Sequence, residues 1–156
     1  MPDRLKIVVV GAGGLGSYIG AVLCEAGHDV TLVARGDHLE AIRAGGLEVR
    51  SHAGDFTTHP AVVESAFDIG ATDLAFLATK TFSLDEVTPG LGHLVDQGAT
   101  VVSLLNGVTA VERLAAGGIA EERLADGVAY MTSFRIAPGV VERKAAHQRI
   151  AVAAAG

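Results

Sequence analysis

Residues 5–35, LKIVVVGAGGLGSYIGAVLCEAGHDVTLVAR, leave little freedom in what this chain can fold into. Leu5, Ile7, Val8, Val9 and Val10 make the near-continuous apolar run of a parallel strand buried on both faces. Gly11, Gly13 and Gly16 then spell G-x-G-x-x-G where strand gives way to helix. In such a turn the first glycine permits the tight reversal and the second lets a pyrophosphate approach bare backbone. The third lets the helix pack close to the strand. The helix N-terminus behind them offers unpaired N–H groups and a positive dipole end to phosphates. Alone the motif is weak, because 20 of the 156 residues are glycine. Its context strengthens it. An apolar helix follows (Leu15, Ile19, Val22, Leu23, Ala26), Gly27 supplies the stop, and Val30-Thr31-Leu32-Val33 makes a second strand. A glycine-rich turn with no ligand is the competing reading, and this completeness counts against it.

The second strand ends Val33-Ala34-Arg35-Gly36. A site for NAD or FAD usually carries Asp or Glu near this strand end, accepting hydrogen bonds from the ribose hydroxyls. Here small Ala34 is followed by Arg35. A carboxylate would repel a 2′-phosphate, whereas a guanidinium binds it through paired, charge-assisted hydrogen bonds. The expected cofactor is therefore NADP(H), against the plainer reading of a solvated arginine at a strand end. Asp37, the nearest acid, fits the first turn of a helix running into His38-Leu39-Glu40-Ala41-Ile42.

A chain of 156 residues is expected to form one domain, residues 1–156, with a substantial core. Hydrophobic residues make up 49%, yet no stretch is apolar for long enough to span a bilayer, and no secretory signal is visible. Cys24 is the only cysteine, which excludes a disulfide within the chain and favours a reducing cytoplasm. It reads as a small buried hydrophobe rather than a catalytic thiol. The net charge of −6 argues against nucleic acid and anionic membrane as partners. An anionic cofactor must then be held by local features: the glycine turn, the helix end and Arg35. The six histidines (His28, His38, His52, His59, His93, His147) show no metal-ligand spacing, so no metal is expected.

Farther along, Leu47-Glu48-Val49-Arg50 alternates like a short strand, and 51–60 carries the turn formers of a hairpin or irregular crossover. His52 and His59 would decorate that exposed loop. Residues 73–79, DLAFLAT, form the next buried strand. Leu84, Val87, Leu91, Leu94 and Val95 suit a helix, but Pro89-Gly90 predicts a break in it or a late start. Thr100–Leu105 is another strand, closed by Asn106-Gly107, and a helix around Ala110–Ala116 follows. Apolar stretches at Val128–Phe134, Gly139-Val140-Val141 and Ile150-Ala151-Val152 look like strands joined by turns. The expected fold is α/β, a Rossmann-type parallel sheet with helices on both faces and antiparallel strands added at one edge.

Ligands of open α/β sheets bind outside the carboxyl ends of the strands. Lys80, after DLAFLAT, and Asn106, after VVSLL, stand at such ends. Lysine is scarce here, three against nine arginines, which makes Lys80 suggestive, although a surface lysine is an equal alternative. Asn106-Gly107 is by itself a plain turn signature.

Taken in order, GAGGLGSYIGAVLCEAGHDVTLVARG, the A-T-K ending at Lys80, LLNGV around Asn106 and GVAYMTSFRIAPGVVER form a more specific set. Along essentially its whole length the chain resembles the N-terminal half of the ketopantoate reductases (2-dehydropantoate 2-reductases). The resemblance implies phosphate contacts from Gly11, Ala12, Gly13, Gly14, Leu15 and Gly16, and 2′-phosphate recognition by Arg35. It places Lys80 and Asn106 beside nicotinamide and substrate, as cofactor-binding and catalytic residues, and Ser133 near a further cofactor contact. The implied reaction is hydride transfer from NADPH to the ketone of 2-dehydropantoate, giving pantoate for pantothenate and coenzyme A synthesis.

In that family a general-acid lysine and a substrate-gripping carboxylate lie on a helical C-terminal domain. Residues 1–156 are accordingly expected to be the cofactor-binding half, able to bind but not to turn over. Its partners would be a small keto-acid substrate and, through apolar surface near the cofactor mouth, a second copy in a homodimer. Two alternatives stay open: an NADP enzyme acting on another 2-keto acid, and a non-catalytic nucleotide-sensing module, against which Arg35 argues. Short-chain dehydrogenases are disfavoured because neither Tyr18 nor Tyr130 has a lysine four positions later. The missing acid after the second strand disfavours a flavin.

Overall fold

A computed structural model of the chain describes residues 3–79, 84–105, 109–144 and 148–154. Strand β1 (Lys6–Val10), helix α1 (Gly14–Glu25) and strand β2 (Asp29–Val33) form the expected opening unit. Helix α2 (Gly36–Gly45), β3 (Leu47–Arg50), β4 (Phe56–Thr58) and β5 (Ala61–Val63) follow. Then come β6 (Leu74–Leu77), α3 (Leu84–Asp96), β7 (Thr100–Ser103) and α4 (Ala110–Ala116). Strands β8 (Leu124–Tyr130), β9 (Ser133–Ala137), β10 (Val140–Arg143) and β11 (Arg149–Ala154) complete the described chain.

Seven strands form the main sheet in the order β11-β8-β7-β6-β1-β2-β5. All its neighbours are parallel except β8 and β11, which pair antiparallel at one edge. Strand β1 alternates across the sheet. Ile7 and Val9 enter one core with Ile19 of α1 and Leu32 of β2, whereas Val8 and Val10 enter another with Leu84, Leu91 and Leu94 of α3 and Leu114 of α4. Burial on both faces is what the unbroken apolar run of β1 demands.

Three features depart from the sequence-based expectations. Of the three late apolar stretches only β11 is an antiparallel addition to the main sheet; β8 joins it in parallel. Strands β9 and β10 instead build a second sheet, β4-β3-β10-β9, in which β3 and β10 pair in parallel across the chain. This sheet packs on α1 from the side opposite the main sheet. Helix α1 is consequently enclosed over six consecutive residues, Gly16–Ala21. The third departure is at Pro89, which lies inside α3 rather than breaking it. Proline there costs the helix about 3 kcal/mol, but Leu84, Leu91 and Leu94 are fully buried on one face of α3, and their packing outweighs it.

The 51–60 segment contains β4, paired with β3 as a hairpin, and leaves His52 and His59 exposed. Cys24 is half-buried against the α1 core. Among the described residues no helix is long and apolar enough to cross a membrane, and no cluster of His, Cys, Asp and Glu could hold a metal ion.

Candidate functional site

The chain leaves β1 toward β2 on one side and later returns to β6 on the other. The carboxyl ends of β1 and β6 therefore flank the switch point where ligands of such sheets bind. A cleft of about 570 Å³ opens there. Its walls are Gly11, Ala12 and Gly13 of the turn, Ala34 and Arg35 after β2, Ala78 and Thr79 after β6, and Glu86 of α3.

The glycines of the motif meet different surroundings. Gly11 has φ +103°, and a Cβ on it would lie 2.7 Å from the Thr79 backbone nitrogen. A Cβ on Gly16 would strike the Gly11 carbonyl at 1.9 Å, so strand and helix could not approach as they do. Gly14 has a role that sequence alone did not show. A Cβ there would lie 2.3 Å from the Ser133 carbonyl of β9, so this glycine admits the second sheet onto the start of α1.

Gly13 differs from all of these. Its φ is −78°, open to any residue, and a Cβ on it would meet nothing within 4 Å among the described residues. No contact among the described residues requires glycine at this position, which faces the cleft. A bulky group approaching the backbone there would require it.

The carbonyls of the turn are tied back into the protein. Ser17 donates its hydroxyl to the Ala12 carbonyl at 2.9 Å and its backbone N–H to the Gly13 carbonyl at 3.0 Å. Ser133 donates its hydroxyl to the Gly14 carbonyl at 2.8 Å. Meanwhile the first N–H groups of α1 have no intrahelical partners. With these three carbonyls engaged elsewhere and its first N–H groups without a partner among the described residues, the turn suits an anion.

Arg35 stands at the N-cap of α2 with its guanidinium 3.7 Å from Glu86, and both side chains are largely exposed. An exposed pair of this length contributes about 0–1 kcal/mol, so a phosphate could take the guanidinium at little cost. Arg135 of β9, which sequence reasoning overlooked, is a second cation bordering the cleft. Thr79 Oγ1 is buried in the wall with no hydrogen-bond partner among the described residues. A bare backbone cradle, two guanidiniums and an orphaned hydroxyl fit a phosphorylated dinucleotide.

His38 was also overlooked as a site residue. It is 1% exposed and bonded both to Ser17 and to Gly139. Burial first, and the charge of Arg135 second, hold its pKa below the usual 6.5.

Of the site residues expected from sequence, Gly11, Ala12, Gly13 and Arg35 border the cleft. Leu15 and Gly16 lie behind it on α1, and Ser133 contacts the turn through Gly14. Lys80 and Asn106 lie outside the described residues.

A family model described as "Ketopantoate reductase PanE/ApbA" matches residues 7–156. A 2-dehydropantoate 2-reductase of Pyrococcus horikoshii is 34% identical over 140 residues, 88% of this chain and 44% of the relative. The crystal structure of 2-dehydropantoate 2-reductase from Geobacter metallireducens superposes with a TM-score of 0.87 at 37% identity, covering 96% of this chain and 49% of that one. A ternary structure of D-mandelate dehydrogenase with NADH and anilino(oxo)acetate gives 0.82 at 25% identity, covering 95% and 47%. The chain thus spans about half or less of the length of the curated relatives it matches.

Proposed function

Since the chain belongs to the ketopantoate reductase PanE/ApbA family, we propose that it forms the NADP(H)-binding half of an enzyme that reduces 2-dehydropantoate to pantoate. The product would feed pantothenate and coenzyme A synthesis in the cytoplasm. When bound, the cofactor supplies the hydride delivered to the substrate ketone. The residues of this chain bind and orient. The Gly11–Gly16 turn and the first turn of α1 hold the pyrophosphate, and Arg35 holds the 2′-phosphate. Arg135 adds a second positive charge at the same cleft. Lys80 and Asn106, following β6 and β7, would address the nicotinamide and the substrate.

Gly13 carries this reading. Its φ is ordinary and no described residue stands where a Cβ would be, so its lack of a side chain is best explained by something bound in the cleft. For the choice of cofactor the support is Arg35, which stands where a ribose-binding acid would exclude a 2′-phosphate. Calorimetric titration tests it. NADPH should bind more tightly than NADH, and Arg35→Ala should remove most of the difference while leaving NADH nearly unchanged. Equal affinities in the parent chain would overturn the NADP assignment.

One observation favours a second reading, reduction of a different 2-keto acid. The D-mandelate dehydrogenase neighbour was solved with NADH and an oxoacetate. Assays of the full-length enzyme with ketopantoate and with phenylglyoxylate separate the two.

A further inference from the structure

Three elements, α1, α2 and the turn between β9 and β10, meet beneath the glycine turn, and a single hydrogen-bonded chain joins them to it. The backbone N–H of Gly139, in the β9–β10 turn, lies 2.9 Å from His38 Nδ1. An amide N–H can only donate, so Nδ1 is the acceptor and carries no proton. The neutral ring must then bear its proton on Nε2, which lies 2.9 Å from Ser17 Oγ. Ser17 accepts that proton's hydrogen bond and donates its own to the Ala12 carbonyl. Both side chains are buried, His38 at 1% and Ser17 at 0% exposure. Every donor in the series has one acceptor, and the direction of the chain is fixed from Gly139 to Ala12.

We propose that His38 is a positioning residue. Through Ser17 it holds the Ala12 carbonyl away from the cleft and so keeps the turn's N–H groups aimed at a pyrophosphate. This rests on the reading of the cleft as a dinucleotide site. His38 is well placed for such a role, three residues after Arg35 on α2. The strut therefore joins the helix that carries Arg35, the turn that faces the pyrophosphate and the second sheet. A rotated Ala12 peptide would present its carbonyl dipole to the phosphates and lose a donor.

The chain has one protonation state in which it works. A second proton on Nδ1 would set two donors, the imidazolium and the Gly139 amide, against each other. Among the charged groups around the ring, Arg135 on β9 opposes that proton. Helix α1 presents uncharged Ser17, and the β9–β10 turn presents an amide. Asp37 and Arg35, its neighbours on α2, are exposed to solvent. Below the working range the strut should fail and the turn should loosen.

Two substitutions at one position separate positioning from bulk packing. His38→Gln places an amide donor near Nε2 and keeps the reach to Ser17. His38→Asn places an acceptor near Nδ1 and loses that reach. NAD is the probe, because it lacks the 2′-phosphate whose own titration would confuse a pH series. With the intact 156-residue chain, His38→Asn and Ser17→Ala should weaken NAD binding about tenfold at pH 7.5. His38→Gln should stay close to the parent. Between pH 7.5 and 5 the parent should lose affinity, and His38→Gln should lose less.

Ser17→Ala, a small change, keeps the test available if the His38 variants do not fold, which a melting curve reports. Parent affinity in both His38→Asn and Ser17→Ala would overturn the proposal. So would affinity losses that merely follow melting temperature, or identical pH profiles for parent and His38→Gln. In each of those cases the dinucleotide reading survives. A parent chain that binds no nicotinamide dinucleotide would overturn both.

Discussion

Replacing Gly13 should separate stability from binding in a way that no other glycine of the turn allows. Gly13 occupies the N-cap of α1 with φ −78° and no neighbour among the described residues where its Cβ would stand. Gly13→Ala therefore adds no strain, and it removes conformational freedom from the unfolded chain. That gain, about 0.4–1 kcal/mol, is offset by a similar loss because alanine is a poorer N-cap than glycine, so for a domain of this size the melting temperature should stay within about 4 °C of the parent. Gly13→Val should also fold, since its branches project into the open cleft. Binding should respond far more strongly. A side chain there keeps phosphate oxygens from the turn's N–H groups, and each charge-assisted bond lost costs about 1.5–3 kcal/mol, or about 10- to 150-fold in affinity. Gly11→Ala provides the contrast. At φ +103°, with backbone 2.7 Å away, it should destabilise the fold by about 1–3 kcal/mol or more before binding enters. Thermal melts paired with calorimetric titration of NADPH and NADH read both quantities on the same samples. A Gly13→Val protein that melts like the parent and binds like it would refute the placement of the pyrophosphate.

Glu86 lies 3.7 Å from the Arg35 guanidinium and would compete for it with the proposed 2′-phosphate, so Glu86→Gln should tighten NADPH up to about fivefold, the range of an exposed pair, and leave NADH alone; an unchanged NADPH constant counts against that geometry. His38, buried and held below 6.5, leaves the unfolded chain with more bound protons than the folded one just below that pH. Denaturant midpoints should therefore fall as pH drops below about 6.5, more steeply in the parent than in His38→Gln, and parallel curves would show that His38 does not contribute. The 156-residue polypeptide, about half the length of its relatives, should bind NADPH without reducing ketopantoate. Saturable NADPH oxidation that disappears in Lys80→Ala would mean that this polypeptide contains its own proton donor.

The opening βαβ unit was legible because its signals are local. Apolar runs, glycine spacing and the Gly27 stop each act within a few residues, and the structure reproduces them at β1, α1 and β2. The second sheet was not legible, because its central pair joins β3 to β10 across some ninety residues. Val140 and Val141 look the same whether their partner is β11 or β3. Pro89 misled for a related reason. Its cost is local and visible, whereas the burial of Leu84, Leu91 and Leu94 that offsets it is a property of the finished core.

The cleft shows the same division. Gly11, Gly13 and Arg35 could be placed at the cleft from the sequence, because the chemistry expected of a phosphate fixes what it must meet. Arg135 and the role of His38 could not, since Arg135 reaches the cleft on the second sheet and His38, on α2, takes one of its partners from the turn between β9 and β10. One trace of His38 was present all the same. With Leu39 and Ile42 it forms the i, i+1, i+4 stripe that α2 buries, so helical periodicity alone placed it on the inner face. An imidazole there must find partners for two ring nitrogens, because a buried polar atom left unpaired costs about 1–3 kcal/mol. The sequence between His38 and Gly139 gives no hint of what those partners are. They come from α1 and from a turn a hundred residues later, and one of them leads directly to the carbonyl of Ala12. A residue that sequence would place in an ordinary helix core thus becomes, once the second sheet is folded onto α1, part of the support for the glycine turn.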